Sequence, residues 1–384
     1  MASKSYIARK PDDRQIMTTD SRAPEASFRF HSLDFFRGLT MFLLVAESAE
    51  IYDVLMESAD GTGWLHTIGI QFHHVPWDGL RFWDLIQPFF MFIVGVAIPF
   101  AVRNRHKKGD SDQQIRQHVF KRALVLLLLG WGLYAVGPEG IVFRFQNVLA
   151  QLSVTYLVAY LIMHKSPKFQ IGFSLGLILL TEIIYRTFWV DGFNHPFVPN
   201  ENFGTWLDLQ YGGEDLRGHW VSFNAIPTTA HTIWGVLAGQ LLMSDRSQQQ
   251  KLKMLLIAGV IGVVLGYTLS PITPIIKRIC TSSFIFASGG WALLALALSY
   301  YVIDMRNWTK GMIFTMVGMN SLFIYLFANI GGANFLHEFV GPYVKALLGW
   351  LGEWPIELIA SALTLFLLWY LCYWLYQKKI FVKI

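Results

Sequence analysis

The densest group of chemically able side chains in this sequence is the run FHHVPWDGLRFWD at residues 72–84, which holds His73, His74, Trp77, Asp78 and Asp84. Histidine titrates closest to neutral pH and is the natural general base there. A carboxylate nearby, such as Asp84, can fix which ring nitrogen carries the proton. The same run is also compatible with an interfacial aromatic anchor that happens to contain histidines.

Other polar residues interrupt runs that are otherwise apolar. SLDFFRG places Asp34 and Arg37 three residues apart on one helix face, either as an ion pair that eases entry into an apolar medium or as a cation for an anionic ligand. Glu47 and Glu50 follow one turn apart, and the spacing suggests a cavity at Glu47 or an early end to the helix. Gln87–Pro88 sits one turn beyond Asp84, where a proline inside a helix frees a carbonyl. His231 in IPTTAHTIWG is the type of lone histidine that more often packs helices together than catalyses. Asn320 and Ser321 in GMNSLFIYLF are residue types that join helices within membranes. An ionisable group at a bilayer centre costs about 2.5–3.5 kcal/mol on insertion scales, so each of these residues needs a reason.

The elements that carry them are membrane spans. The chain has 384 residues, 54% of them hydrophobic and only 15% charged, against about 25% in soluble domains. Its mean hydropathy is +0.41. A bilayer core needs about 20 apolar residues in a helix. The windows that qualify are 33–55, 82–102, 119–137, 147–164, 170–189, 224–243, 254–271, 282–303, 311–328 and 356–376. The predicted fold class is therefore all-α: a polytopic transmembrane helical bundle of about ten spans. The stretch 332–350 is shorter and broken by glycine, and reads as a re-entrant or interfacial piece. The window 170–189 is the most polar, with Glu182 and Arg186. Residues 1–30 form a polar tail without a signal peptide, and 31–384 a single transmembrane domain whose first span acts as its own insertion signal.

Lysine and arginine in the connections orient such a bundle. Lys4, Arg9, Lys10, Arg14, Arg22 and Arg29 lie in the tail, and seven more lie at 103–122, including Lys121 and Arg122. With those at 165–168, 246–253, 306–310 and after 377, one side holds 23, whereas the other holds only Arg81, Arg144, Arg186, Arg217, Lys277, Arg278 and Lys345. Both termini are expected in the cytoplasm. The connections 56–81, 138–146, 190–223, 272–281 and 329–355 are then outside, and their length and aromatic content point to function there. The net charge of +5 clusters at segment ends, a topology signal that offers nothing to nucleic acid. Cys280 and Cys372 fall in different apolar segments and give neither a disulfide framework nor metal spacing.

Several stretches taken together resemble one family. SLDFFRGLTMFLLV, HHVPWDGLRFWDLIQPFFMFIVGVAIPF, NVLAQLSVTYLV, IPTTAHTIWGVLAGQLL, KRICTSSFIFASGGWALLALALSYYVID and VGMNSLFIYLF occur in the order found in the heparan-α-glucosaminide N-acetyltransferase family, including its bacterial NagX-type members. The resemblance implies a transmembrane acyltransferase of the bacterial inner membrane. Such an enzyme takes acetyl-CoA from the cytoplasm and acetylates an amino sugar of the glucosamine type on the periplasmic side. It also implies a homodimer, no metal, and a catalytic histidine at His74 within the pattern His74, Trp77, Asp78, Gly79. Asp84, Asn320 and Ser283 fall on positions that line the family's buried site. There are departures. The segment AES gives Glu47 and Ser48 where the family has Asn, the loop to His74 is longer, and NVLAQ puts Gln151 in place of an Arg.

Taken with the charge map, the resemblance gives a mechanism. The nucleotide end of CoA is expected near Arg37, Lys121 and Arg122, with Ser283 also contacting the donor. Asn320 or Ser283 donates to the oxyanion, and His74 serves as base or acetyl carrier. Glu47, Trp77, Asp78 and His231 are expected at the acceptor. Two other readings share these features: a sugar permease without chemistry, and an O-acyltransferase acting on a periplasmic glycan.

Overall fold

The computed structural model describes residues 30–57, 63–137, 140, 142–211, 217–308, 311–382 and 384. The polar tail expected over 1–30 therefore lies outside the described residues except for Phe30. In chain order the helices are α1 (His31–Ser48), α2 (Ile51–Met56), α3 (Trp64–Gln71), α4 (Ile86–Lys107), α5 (Asp112–Val136), α6 (Val148–Ile162), α7 (Pro167–Thr187), α8 (Phe203–Tyr211), α9 (Ala225–Met243), α10 (Gln248–Leu269), α11 (Ser282–Ser299), α12 (Met312–Met319), α13 (Ser321–Phe327), α14 (Ala333–Leu348) and α15 (Glu353–Gln377). A short 3-10 turn, Phe82–Leu85, leads into α4. Among the described residues the only strand-like pairing is a single bridge between Asp78 and Ile276.

Six of these segments are long and apolar enough to cross a membrane: Phe82–Lys107, Asp112–Val136, Pro167–Thr187, Gln248–Leu269, Ser282–Met305 and Glu353–Gln377. A seventh follows if Met312–Met319 and Ser321–Leu351, bent by 74° about Asn320, count as one. The chain is thus an all-helical, multi-pass membrane protein, but length and apolarity do not reach the ten spans read from the sequence. Interior packing accounts for the shortfall. α9 buries Thr228, Thr229, His231 and Thr232 against other helices, so its surface does not have to match lipid. α6 is apolar but has only 15 residues.

The first window also ends earlier than expected. α1 stops at Ser48, and Glu50 takes a left-handed backbone (φ 62°) that starts α2 in a new direction. Glu47 and Glu50 are separated as a result. Glu50 approaches His337 of α14 at 3.7 Å, whereas Glu47 faces α4. Pro88, expected inside a span, falls in the first turn of α4, where a missing N–H leaves no bond broken. The interior proline is Pro99.

The centre of the bundle is the α4–α9 pair. Gly95 and Gly235 allow the two backbones to touch, since a Cβ on Gly235 would lie 2.1 Å from the Phe92 carbonyl oxygen. Phe92, Ile93 and Val96 of α4 and Ile233 and Val236 of α9 are fully enclosed around this contact. Overpacking a tight core costs about 1–3 kcal/mol, so Gly235→Ala is expected to lower the unfolding temperature of the detergent-purified protein. Gly132→Ala, where a Cβ would meet nothing within 4 Å, should leave it unchanged.

Candidate active site

His74 lies in the connection between α3 and the 3-10 turn, and Asp84 is carried by that turn. The His74 Nδ1 is 2.8 Å from Asp84 Oδ1. Asp84 is 1% exposed, and its other oxygen accepts from the backbone N–H of Arg81 at 3.0 Å and of Val75 at 3.3 Å. With its shell filled by donors, the carboxylate accepts a hydrogen bond from Nδ1–H, which leaves Nε2 of the neutral ring as the basic atom.

A third group joins them from some two hundred residues away. Lys277, 6% exposed, places its Nζ 3.2 Å from His74 Nδ1 and 3.7 Å from Asp84 Oδ1. Trp220 covers it, with the Lys277 Nζ 5.3 Å from the ring centre, and also meets the His74 ring edge-on at 5.6 Å. Burial pushes the Lys277 amine down to about 8, against the pull of Asp84 and Glu47. Burial likewise lowers His74 below its ordinary value; the Asp84 hydrogen bond opposes this, and the Lys277 charge adds to it. The imidazole is therefore held in its basic form.

Long-range bonds hold this loop cluster in place. Glu182 on α7 accepts from Thr273 Oγ1 at 2.7 Å, Ser282 Oγ at 3.0 Å and Arg186 Nε at 2.6 Å. Arg186 also donates to the Ile272 carbonyl. These two residues, the most polar feature of their window, anchor both ends of the segment that carries Lys277. The Gly79 N–H donates to the Ile275 carbonyl, tying the His74 loop to the same segment.

His74, Lys277 and Trp220 open on a cavity of about 320 Å³, with Glu47, Gln87 and Gln146 also in its wall. Trp83 Nε1 donates to Glu47 Oε1 at 2.6 Å, so the carboxylate is held at the cavity and is itself exposed to it. A second cavity of about 370 Å³ carries Arg37 and Arg122 in its wall. The two share Phe90, Val148 and Tyr325 and so adjoin at those side chains, marking out a path along the bundle. Arg37 lies 3.7 Å from Asp34. The Arg122 guanidinium stacks 5.0 Å over Tyr156, and its Nε is buried without a hydrogen-bond partner among the described residues, a donor aimed at nothing in the protein.

A sequence profile described as "Heparan-alpha-glucosaminide N-acetyltransferase, catalytic" matches residues 29–265, more than half of the chain. The chain belongs to that family. It is 23% identical to the heparan-alpha-glucosaminide N-acetyltransferases of Homo sapiens and Mus musculus, over 97% and 93% of its own length. It spans only 63% and 60% of those relatives. Membership bears out the family read from the sequence, and the matched profile is that of the family's catalytic domain. The profile match contains His74 and Asp84 and stops short of Lys277.

The structure brings His74, Asp84 and Glu47 together at one end of the path, and Arg37 and Arg122 at the other. The remaining candidates from the sequence line neither cavity. Lys121 is exposed on α5. Ser283 is enclosed, bonded to the Pro274 carbonyl and to Thr281, and shapes the turn that holds Lys277. Asn320 donates to the Ile380 carbonyl and accepts from the Val382 N–H, each at 3.1 Å, so both halves of its amide are engaged in holding the segment after α15. Trp77 donates to the Phe197 carbonyl at 2.7 Å and pins one loop to another. Asp78 is exposed and contributes its backbone to the bridge with Ile276. His231 bonds Ser288 at 2.9 Å between α9 and α11, the packing role favoured for it. Among the described residues, no group of three or more His, Cys, Asp or Glu is placed to hold a metal ion.

Lys277, Trp220 and Gln146 were not singled out from the sequence, and Gln87 was noted only beside Pro88. Lys277 carried one faint signal, as a member of the sparse basic set on the outer side. Removing the Glu182 anchor tests how its loop is held. Charge-assisted hydrogen bonds contribute about 1.5–3 kcal/mol each, so Glu182→Ala is expected to speed amide exchange across 272–281 by at least about tenfold. Exchange in α4 should stay as in the unaltered protein, with both read by hydrogen–deuterium exchange in detergent.

Proposed function

We propose that this protein transfers the acetyl group of acetyl-CoA, taken at the Arg37–Arg122 end of the bundle, to the amine of an amino sugar held at the His74 end. The observation that carries this reading is the pair of adjoining cavities whose chemistry differs: arginines line one, a neutral histidine backed by a buried carboxylate lines the other. In this reading the arginine end and both termini face the cytoplasm of a bacterial inner membrane, an orientation that the excess of lysine and arginine on that side supports.

The donor fits the wall that is present. The phosphates of CoA match the Arg37 and Arg122 guanidinium groups in this wall, and arginine suits phosphate through its planar fork of donors. Between the ends, Phe90, Ile93, Leu152 and Leu322 give an apolar passage for the slender pantetheine arm. At the far end, Glu47 binds the acceptor's ammonium group and takes one of its protons, later released to water, which leaves the neutral amine. His74 Nε2 takes a proton from the amine as the nitrogen attacks the thioester carbonyl. The C–N bond forms, the C–S bond breaks, and the leaving thiolate receives a proton from the imidazolium.

Lys277 does two things in this scheme. Its charge disfavours a protonated His74 before the reaction, and its ammonium group lies on the wall where the carbonyl oxygen gains negative charge. Buried donors aimed at such an oxygen supply much of the rate in acyl transfer.

The decisive experiment supplies the purified protein with acetyl-CoA and a panel of amino sugars. His74→Ala is expected to lower acetylation by about 10²–10⁴, the usual contribution of a general base. Acetylation at the wild-type rate would overturn the role of His74. Sugar uptake into vesicles with no acetyl transfer at all would favour a permease.

Lys277→Met removes the cation that disfavours imidazolium. The pKa of His74 then rises, and the acid limb of the kcat/KM profile is expected to move to higher pH. Lys277→Arg keeps a charge at that place and should hold the limb near its original position. Identical limbs in all three proteins would exclude this electrostatic role.

A further inference from the structure

The largest cavity described in the molecule, about 680 Å³, shares no lining residue with the catalytic path. It lies among α7, α9, α10 and α11, and the four helices agree on its direction. One end is marked by Pro167, Arg246, Met254 and Leu293, and the other by Leu175, Trp234, Leu265 and Phe286. From Trp234 to Ser244 is ten residues of helix, or about 15 Å at about 1.5 Å per residue. That is half of a hydrocarbon core of about 30 Å, the depth of one leaflet.

The two ends differ in kind. The deep end is closed by the rings of Trp234 and Phe286, stacked with centroids 5.8 Å apart, and Trp234 is fixed by a 2.9 Å bond from its Nε1 to Ser174. The walls are almost wholly apolar; Gln240, Ser244 and Arg246 are the polar members, all toward the other end. There the connections flanking the groove carry Lys165, Lys168, Arg246, Lys251 and Lys253, with Asp245 as the one carboxylate among them. The side of the groove is open, since Ile171, Leu175, Met254 and Ile261 are each more than 40% exposed along its edge.

We propose that this groove is a binding site for an anionic glycerophospholipid, with the phosphate at Arg246 and an acyl chain running down to the Trp234–Phe286 floor. Its length, its dry walls and its closed end fit a lipid tail that enters sideways from the bilayer. Apolar walls alone do not choose among lipids, because tails are alike. The choice comes from the cationic rim, where each basic side chain near a membrane surface favours an anionic headgroup by roughly fivefold. This site is independent of the acyl-transfer reading and stands if that reading fails.

The test uses the full chain, stripped of endogenous lipid in excess detergent and titrated separately with phosphatidylglycerol and phosphatidylcholine, with bound lipid read by native mass spectrometry. One retained phosphatidylglycerol per chain is expected, favoured over phosphatidylcholine by about fivefold or more. Arg246→Glu, an exposed position that folding does not need, should abolish that preference. Ala258→Trp fills the groove and should lose the bound lipid at an unchanged unfolding temperature; if this variant fails to fold, the Arg246→Glu result decides alone. Failure to retain either lipid, or a preference that survives Arg246→Glu, overturns the proposal. So does a species of twice the chain mass that Ala258→Trp dissociates, since the groove would then be a contact between two copies.

Discussion

The cost of taking His74, Asp84 and Lys277 out of water together governs the rest of this structure. A buried ion loses several kcal/mol of solvation, which is recovered only if its partners are close and its remaining valences are filled. Asp84 meets that condition through His74, Lys277 and two backbone N–H groups. Lys277 meets it through Asp84 and the face of Trp220. His74 and Asp84 come from one connection and Lys277 from another, so the two connections have to be held closely against each other. That requirement explains why the loops on this side are long and yet densely bonded. Glu182 and Arg186 fix the Lys277 segment. Asp208, its carboxyl raised chiefly by burial, accepts from the Ser222 N–H and from Gln146, and so holds the Trp220 segment to the cavity wall.

A second constraint acts inside the bundle. A path for a polar donor needs helices that tolerate polar side chains at depth, and such helices are poorly suited to face lipid. The bundle separates the two duties. α5, α7 and α10 present apolar side chains outward, Leu124, Leu128, Leu179 and Val260 among them. α1 and α9 lie inward and carry the charged and hydroxyl groups. The same separation makes α1 and α9 look weak by hydropathy, though α1 supplies both Arg37 and Glu47 to the path.

The helices were legible in the sequence because apolar run length is a local property, and lipid demands it of every outward-facing span. The catalytic pair was legible because His74 and Asp84 sit ten residues apart on one connection. Lys277 was not, since its approach to His74 depends on how α7 anchors a loop 203 residues further along the chain. Trp77 and Asp78 were expected at the acceptor and Ser283 at the donor or the oxyanion, whereas here their contacts fasten loops and turns. Residue type and a motif position carry no information on whether a side chain faces the cavity or the loop behind it. Asn320 shows the same limit. An amide at mid-span suggests a donor to a substrate, yet here both its groups are taken by the backbone of Ile380 and Val382.

The two ends of the path are built on different principles, and this bears on how a transferase of this kind works. The His74 end is closed by side-chain bonds between distant loops, an arrangement that fixes geometry before any ligand arrives. The arginine end is walled in part by Val382 and Ile384, in the segment after α15, held to the bundle through the Asn320 amide. A reaction site gains from groups already in place, because no free energy is then spent on arranging them in the transition state. A donor must instead enter and leave in every cycle, so its doorway gains from a wall held by few bonds. On the proposed function, the end fixed by bonds between loops suits the chemistry, and the end walled by the segment after α15 suits exchange of the donor.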